Sequence, residues 1–265
     1  MGIIVKVNEP TDWISSLVVT KKRNGNVRLC IDPKPLNNAL KRNHYPLPTI
    51  EDVLPLLTDS KVFKVLDARN GFWHVQLDDQ SSYLTTFSTP WGRYRWLRMP
   101  FGITSAPEEF QRRMDIALEG LDGTKAIADD ILVFGTGTTQ EEAEKNHNER
   151  LKAVLARCWQ KGVKLNKEKM QFKQQKVAYM DHVITSEGLQ ADPNKIEAIV
   201  NMPTPTDKEA VQQLLGMTNY VQRFAPGLVD ITKPLRDLIK KESVFIWDQN
   251  HDKALSEGKS SWTKA

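Results

Sequence analysis

Ala126-Ile127-Ala128-Asp129-Asp130-Ile131-Leu132-Val133-Phe134 decides the fold. Two short apolar runs, 126–128 and 131–134, are separated only by two carboxylates, which predicts a β-hairpin with Asp129 and Asp130 at its tip. Upstream, Val62-Phe63-Lys64-Val65-Leu66 reads as a second apolar strand that ends at Asp67. If these elements pair in one sheet, three carboxylates converge on one edge. Clustered carboxylates repel one another and are costly unless cations neutralise them. Hard oxygen ligands of this kind suit Mg²⁺, which binds through one or two carboxylates plus substrate phosphates. Two such ions about 3.5–4 Å apart form the clamp used in phosphoryl transfer. The plainer reading is that Asp favours turns and strand ends. The surrounding sequence decides between them.

Outward from the hairpin, Leu17–Thr20 and Val27–Ile31 flank Asn24-Gly25, a strong hairpin signal. A proline-studded stretch from Pro33 to Pro55 is too broken for long elements, apart from a short helix over 50–57. Segment 72–77 reads as a strand, and segments 84–87 and 93–97 frame a turn at Thr89-Pro90-Trp91-Gly92. Ser105 as N-cap, Pro107 in the first turn, Glu108, Glu109, and Phe110, Met114 and Leu118 at i+4 spacing predict a helix closed by Gly120 and Gly123. A second helix runs over 139–160 to Gly162. Residues 177–184 read as one strand, followed by helices over 194–200, 207–223 and 228–240 and a polar tail. Strand-rich first and helical last, the class is α+β.

The chain has 265 residues, 40% hydrophobic and 26% charged, with a net charge of +4. No apolar stretch reaches the ~18 residues of a membrane span. Met1-Gly2-Ile3-Ile4-Val5 lacks the features of a signal peptide. Cys30 and Cys158 form no C-x-x-C pair, and none of His44, His74, His147, His182 and His251 pairs at metal-ligand spacing, so a disulfide framework or zinc site is not expected. A reducing, intracellular setting follows. The net charge hides an uneven distribution. Segments 21–42, 93–113 and 161–176 are basic, and the remainder is net acidic. Such a pattern suits a protein that holds a polyanion and concentrates cations.

Several ordered motifs carry a resemblance. They are Leu66-Asp67-Ala68-Arg69-Asn70-Gly71-Phe72-Trp73, Gly92-Arg93-Tyr94-Arg95-Trp96 and Met99-Pro100-Phe101-Gly102-Ile103-Thr104-Ser105-Ala106-Pro107. Phe110-Gln111, Ala128-Asp129-Asp130-Ile131-Leu132-Val133, Gly162-Val163-Lys164-Leu165-Asn166 and Leu215-Gly216-Met217-Thr218-Asn219-Tyr220 follow in order. From about Trp13 to Trp247 the chain resembles the reverse transcriptase of gypsy-like LTR retrotransposons, related to retroviral enzymes.

The resemblance implies a right-hand polymerase with fingers over 1–60 and 78–98, palm over 61–77 and 99–190, thumb over 191–247, and a polar tail over 248–265 with no ribonuclease H. Asp67, Asp129 and Asp130 match catalytic aspartates that bind two Mg²⁺ ions, with Mn²⁺ as an alternative ion, and the Ala68 carbonyl completes a metal shell. Phe72 matches an aromatic gate whose ring would clash with a ribose 2′-OH. Lys22 and Arg28 match cations that hold the triphosphate of the incoming dNTP, with Lys21 or Arg23 able to stand in for Lys22. Phe101 and Gly102 match the nucleotide pocket, and Lys169 a proton donor to pyrophosphate. Two positions depart from the family: Ile127, where an aromatic is usual before the Asp pair, and Asp181, where a primer-grip strand usually has Gly. Arg93, Arg95 and Arg98 with Tyr94 and Trp96 suit backbone contacts and stacking.

The expected activity is RNA- and DNA-directed DNA synthesis on a primed RNA or DNA template. No membrane partner is expected, the oligomeric state is unassigned, and the expected location is the cytoplasm (a virus-like particle) or the nucleus. Two other readings remain: a catalytically decayed, host-retained nucleic-acid-binding protein, and an RNA-dependent RNA polymerase, which should lack the aromatic gate.

Overall fold

The computed structural model describes residues 2–21, 25–170, 176–180, 182–225, 227–240 and 243–263. Two compact units divide the chain, Met1–Gln175 and Lys176–Ala265.

In the first unit the elements run β1 (Ile4–Val7), β2 (Ser15–Lys21), β3 (Val27–Asp32), α1 (Lys34–Ala39), α2 (Ile50–Val53), β4 (Ser60–Asp67), α3 (Asp79–Leu84), β5 (Phe87–Thr89) and β6 (Gly92–Trp96). Then come α4 (Ala106–Leu118), β7 (Thr124–Ile127), β8 (Asp130–Thr136) and α5 (Gln140–Lys161). One sheet has five strands in the order β1-β6-β5-β2-β3, and the other has three in the order β4-β8-β7.

The three-stranded sheet positions the carboxylates. β4 and β8 are antiparallel with Leu66 opposite Ile131 and Asp67 opposite Asp130, and β7 returns with Ile127 opposite Asp130. Leu66, Ile131, Leu132 and Val133 are fully buried. Burying such side chains is worth about 1.5–3 kcal/mol each, which anchors the strands whose ends carry the charges. Helix α5 covers this sheet through Leu151, Val154 and Cys158, and α4 packs alongside through Phe110, Met114 and Leu118. The limits of α5 follow from its ends: a capping box joins Thr139 and Glu142, and Gly162 closes the helix at φ 69°, a left-handed conformation that glycine adopts cheaply.

Several elements differ from expectation. Residues 72–77 are not a strand: Gly71–His74 form a 3₁₀ turn, and only Gln76 makes an isolated bridge, to Arg98. Leu84 ends helix α3, whose N-cap Asp78 accepts from the Ser81 N–H, so the expected strand over 84–87 starts only at Phe87. The proline-rich stretch holds helix α1 after Pro33.

The second unit opens with β9 (Lys176–Tyr179), β10 (His182–Thr185) and β11 (Gly188–Ala191), paired in the order β11-β10-β9. The single strand expected over 177–184 is therefore a hairpin, reversing where Met180 takes φ 49°. Helices α6 (Pro193–Val200), α7 (Lys208–Val221), α8 (Leu228–Ile231), α9 (Lys233–Leu238) and α10 (Gln249–Trp262) follow. They share an apolar core that includes Val211, Leu214, Leu235, Leu255 and Trp262. The expected polar tail is thus mostly helix α10, with Trp262 fully buried. Among the described residues, no helix is long and apolar enough to cross a membrane.

Candidate active site

Backbone hydrogen bonds assemble the site. The Ala68 N–H donates to the Asp129 carbonyl at 2.7 Å, tying the end of β4 to the β7–β8 turn. The Asn166 N–H donates to the Asp67 carbonyl at 2.8 Å, and the Arg69 N–H to the Lys164 carbonyl at 2.8 Å. Three chain segments are thereby sewn around Asp67, Asp129 and Asp130. The turn itself is tight, with Ala128 at φ 51°. Gln111, fully buried on α4, clamps it: its Nε2 donates to the Ala126 carbonyl at 2.9 Å, and its Oε1 accepts from the Ala128 N–H at 2.9 Å.

The electrostatics show what this proximity costs. Burial, and then the charges of Asp67 and Asp130, push the Asp129 carboxyl from 3.8 up to about 6. Asp130 is also raised, by burial first and Asp67 second. One cation answers them directly: the Lys169 Nζ lies 2.5 Å from the Asp67 Oδ2, and this contact raises the lysine's own pKa. Among the described residues, no three His, Cys, Asp or Glu side chains stand at the spacing of a complete metal-ligand set. A site that takes Mg²⁺ through carboxylates plus substrate phosphates does not need one. The Ala68 carbonyl accepts from the Gly71 N–H at 3.3 Å, which leaves it a second lone pair.

Beside the carboxylates stands an aromatic wall. The Phe72 ring lies 4.9 Å from Phe101 and 5.8 Å from Phe110. The Arg28 guanidinium sits 5.1 Å above the Phe101 ring, and its charge also reaches Asp129. Gly102 fixes this relation. At φ 112°, with a Cβ that would fall 1.9 Å from the Ile31 carbonyl oxygen, only glycine fits there. The Ile31 N–H in turn donates to the Phe101 carbonyl at 2.9 Å. The expected set Asp67, Ala68, Phe72, Phe101, Gly102, Asp129, Asp130 and Arg28 is therefore brought together, with Lys169. Lys22 and Asp181 lie outside the described residues, and Ile127 is buried.

The expected stacking surface on β6 is not found. Trp96 is fully buried, Tyr94 is half-buried against Phe87, and Arg95 is engaged by Asp79 and by the Tyr83 ring. The exposed aromatic of this hairpin is Trp91.

Three contributors received no role from the sequence. One is Gln111. Another is Gly71, where a Cβ would fall 1.9 Å from the Asp129 Oδ1. The third is His74, whose Nδ1–H donates to the Gly71 carbonyl at 2.8 Å while its Nε2 accepts from the Lys164 N–H at 2.9 Å. The Asn70-Gly71 dipeptide, a turn signal, was the available mark for Gly71. Gln111 is marked only as part of the Phe110-Gln111 motif, and nothing local marks His74.

Comparison with known proteins places this geometry. Residues 19–184 match the family described as "Reverse transcriptase (RNA-dependent DNA polymerase)". The chain is 35% identical over 251 residues to the retrovirus-related Pol polyprotein from transposon 412 of Drosophila melanogaster, covering 92% of this chain and 20% of that protein. It is 33% identical over 233 residues to the enzymatic polyprotein of figwort mosaic virus (strain DxS), covering 87% of this chain and 34% of that protein. The chain thus spans from about a fifth to a third of the length of these relatives. Among solved structures, a foamy viral protease–reverse transcriptase in complex with double-stranded DNA superposes with a TM-score of 0.88 at 23% identity, covering 98% of this chain and 45% of that one. The same viral protein in complex with an RNA/DNA hybrid gives 0.81 at 22% identity, covering 99% and 35%. The chain belongs to the reverse transcriptase family, and its α+β fold is that of a right-hand polymerase.

Proposed function

We propose that the chain is the polymerase part of a reverse transcriptase, extending a primer on an RNA or DNA template with dNTPs. The observation that carries this reading is the edge of three carboxylates, Asp67, Asp129 and Asp130, where burial and the neighbouring charges raise the proton affinity of Asp129 and Asp130 and one ammonium stands beside Asp67. Surplus negative charge in one place is what a divalent-cation site needs, and the family generally uses divalent metals. Asp67, Asp129 and Asp130, with the Ala68 carbonyl, would hold two Mg²⁺ ions. When bound, these ions supply Lewis acidity and neutralise charge on the transferring phosphoryl group.

The chain's own residues do the rest. The primer 3′-oxygen forms a bond to the dNTP α-phosphorus, the bond from that phosphorus to the β-bridging oxygen breaks, and pyrophosphate leaves. The hydroxyl proton departs toward the carboxylate edge. Lys169, held protonated by Asp67, stands where it can give a proton to the leaving pyrophosphate. Arg28 presents a cation to the triphosphate beside Phe101. Phe72, wedged between Phe101 and Phe110, offers a fixed ring under the sugar that selects against a 2′-OH. Nucleic-acid partners are supported by the foamy viral complexes with double-stranded DNA and with an RNA/DNA hybrid.

The test is dTTP incorporation on poly(rA)·oligo(dT) with Mg²⁺, next to the Asp129→Asn/Asp130→Asn variant. The variant should lose about 10²- to 10⁴-fold in rate, the several kcal/mol that bound metal contributes. Equal rates would sink the reading. Phe72→Ala should relax discrimination against rNTPs.

A further inference from the structure

Gln111 makes more bonds than the catalytic turn alone asks of it. Its side chain is fully buried on α4, and both hydrogens of its amide are engaged. One is given to the Ala126 carbonyl, and the other to the Asp115 Oδ1 at 3.1 Å, one helical turn further along α4. The Asp115 Oδ2 in turn accepts from the Tyr45 hydroxyl at 2.8 Å, a partner 70 residues away in the chain. A continuous line of hydrogen bonds thus runs from Tyr45 through Asp115 and Gln111 to Ala128, the residue before Asp129.

That line ends where the backbone is strained. Ala128 stands at φ 51°, a left-handed conformation that a residue with a Cβ enters at a cost. Its N–H lies in the turn, outside the β7–β8 pairing, and Gln111 takes it. Asp129 and Asp130 follow at once, each partly buried and each repelled by Asp67. The clamp therefore works against both backbone strain and charge.

An amide gripping the turn by one edge is free to pivot about its own side-chain torsions. Asp115 removes that freedom by taking the second N–H, and a bond to a carboxylate is the stronger kind. Giving a proton to the carboxylate also polarises the amide, so its oxygen accepts from Ala128 more strongly. Residues four apart on a helix are neighbours, which puts Asp115 in reach. Tyr45 holds the carboxylate by its other oxygen, and that bond raises the pKa of the phenol, which stays a donor.

We propose that Asp115 and Tyr45 are positioning residues for the reaction, bracing the Gln111 amide and, through it, the left-handed Ala128 that sets where Asp129 and Asp130 stand. The consequence for catalysis rests on the polymerase reading above; the hold on the turn does not.

The test takes the full chain with Asp115→Leu, Asp115→Asn, Tyr45→Phe and Gln111→Met, and reads it in two ways. The first is amide hydrogen exchange by NMR in EDTA at Ala128, with Val65, which pairs with Leu132 inside the β4–β8 ladder, as the reference. Asp115→Leu should speed exchange at Ala128 about tenfold, the size of one hydrogen bond to a charged group, and leave Val65 alone. Asp115→Asn keeps an oxygen for Gln111 and turns its own amide to the Tyr45 oxygen, so it should rescue most of the protection. Tyr45→Phe, one bond further out, should have a smaller effect than Asp115→Leu. The second readout is primer extension on poly(rA)·oligo(dT) with Mg²⁺. There kcat should fall in the same order, while the KM for dTTP holds, because Arg28 and Phe101 are tied to β3 and not to this turn. Gln111→Met should cost about 10²-fold in kcat, as a misplaced catalytic group does; should it not fold, the two Asp115 variants decide alone. Wild-type exchange at Ala128 in Asp115→Leu, equal acceleration at Ala128 and Val65, or an Asn variant as damaging as the Leu variant overturns the proposal. A wild type that extends no primer defeats the polymerase reading instead, and the exchange pattern still judges the brace.

Discussion

At its Thr136 end, strand β8 meets partners for its polar groups. The Thr136 N–H donates to the Asn146 side chain, Arg150 donates to the Phe134 carbonyl, Lys61 reaches the Thr138 carbonyl, and Thr139 and Glu142 cap α5. At its Asp130 end, the same strand delivers a carboxylate beside two others, with one lysine in attendance. Each end also depends on a glycine. Gly135 lets the strand lie against α5, where a Cβ would fall 2.3 Å from the Ala143 carbonyl oxygen, and Gly71 makes room for Asp129. One end is arranged for stability. The other is held by backbone bonds against its own charge, as the proposed cation site requires.

Exchanging the glycines tests that contrast most sharply. Gly71→Ala should push Asp129 off its position and lower the primer-extension rate about 10²-fold, the cost of a ~1 Å misplacement of a catalytic group. Its urea midpoint should move little. Gly135→Ala should do the reverse, costing about 1–3 kcal/mol by overpacking in urea denaturation while the folded enzyme keeps its kcat. If both variants lose the same activity, the two ends are one unit and the contrast fails. Thr139→Ala, at the quiet end, should cost about 1 kcal/mol from the lost cap and leave kcat unchanged.

The smallest expected effect is a pH dependence. Asp129 binds its proton more tightly when folded than at its ordinary value of 3.8, so in chelator its contribution is fully present at low pH. That contribution is lost as pH rises from about 4 to about 6. The wild-type Tm should therefore fall relative to that of Asp129→Asn across this window. Adding Mg²⁺ at pH 7 should restore the wild type alone. Parallel pH profiles would show that the charged end carries no such load.

The carboxylate edge was legible because its evidence is local: apolar runs on either side of Asp67 and of Asp129-Asp130 specify strands, and the ends of strands specify where the charges stand. The span of α5 and its closure at Gly162 were legible for the same reason. What escaped depends on contacts distant in sequence. Phe72 and Trp73 look like strand residues, yet Asn70 takes φ 59° and Gly71 must pass beneath Asp129, so the chain turns. Gly258 reads as a helix breaker, but it lies inside α10, where a Cβ would stand 3.0 Å from the Trp262 ring, and this close packing conceals a helix whose apolar residues are sparse. Gln111 stands in one of the motifs that carry the resemblance, with no role attached to it there. Its role appears only once the β7–β8 turn lies against it.

The Ala68–Leu165 bridge and the two hydrogen bonds flanking it are main-chain links between the end of β4 and the segment after α5. Side-chain identity at positions 69 and 166 is therefore free, as far as this seam is concerned, to drift between lineages. Proline is the exception, because the N–H groups of Arg69 and Asn166 are donors in the seam. A saturation scan read for folding alone should be nearly flat at position 69, with a single notch at proline, whereas position 166 should also favour capping residues, because the Asn166 Oδ1 accepts from the Glu168 N–H at 3.2 Å.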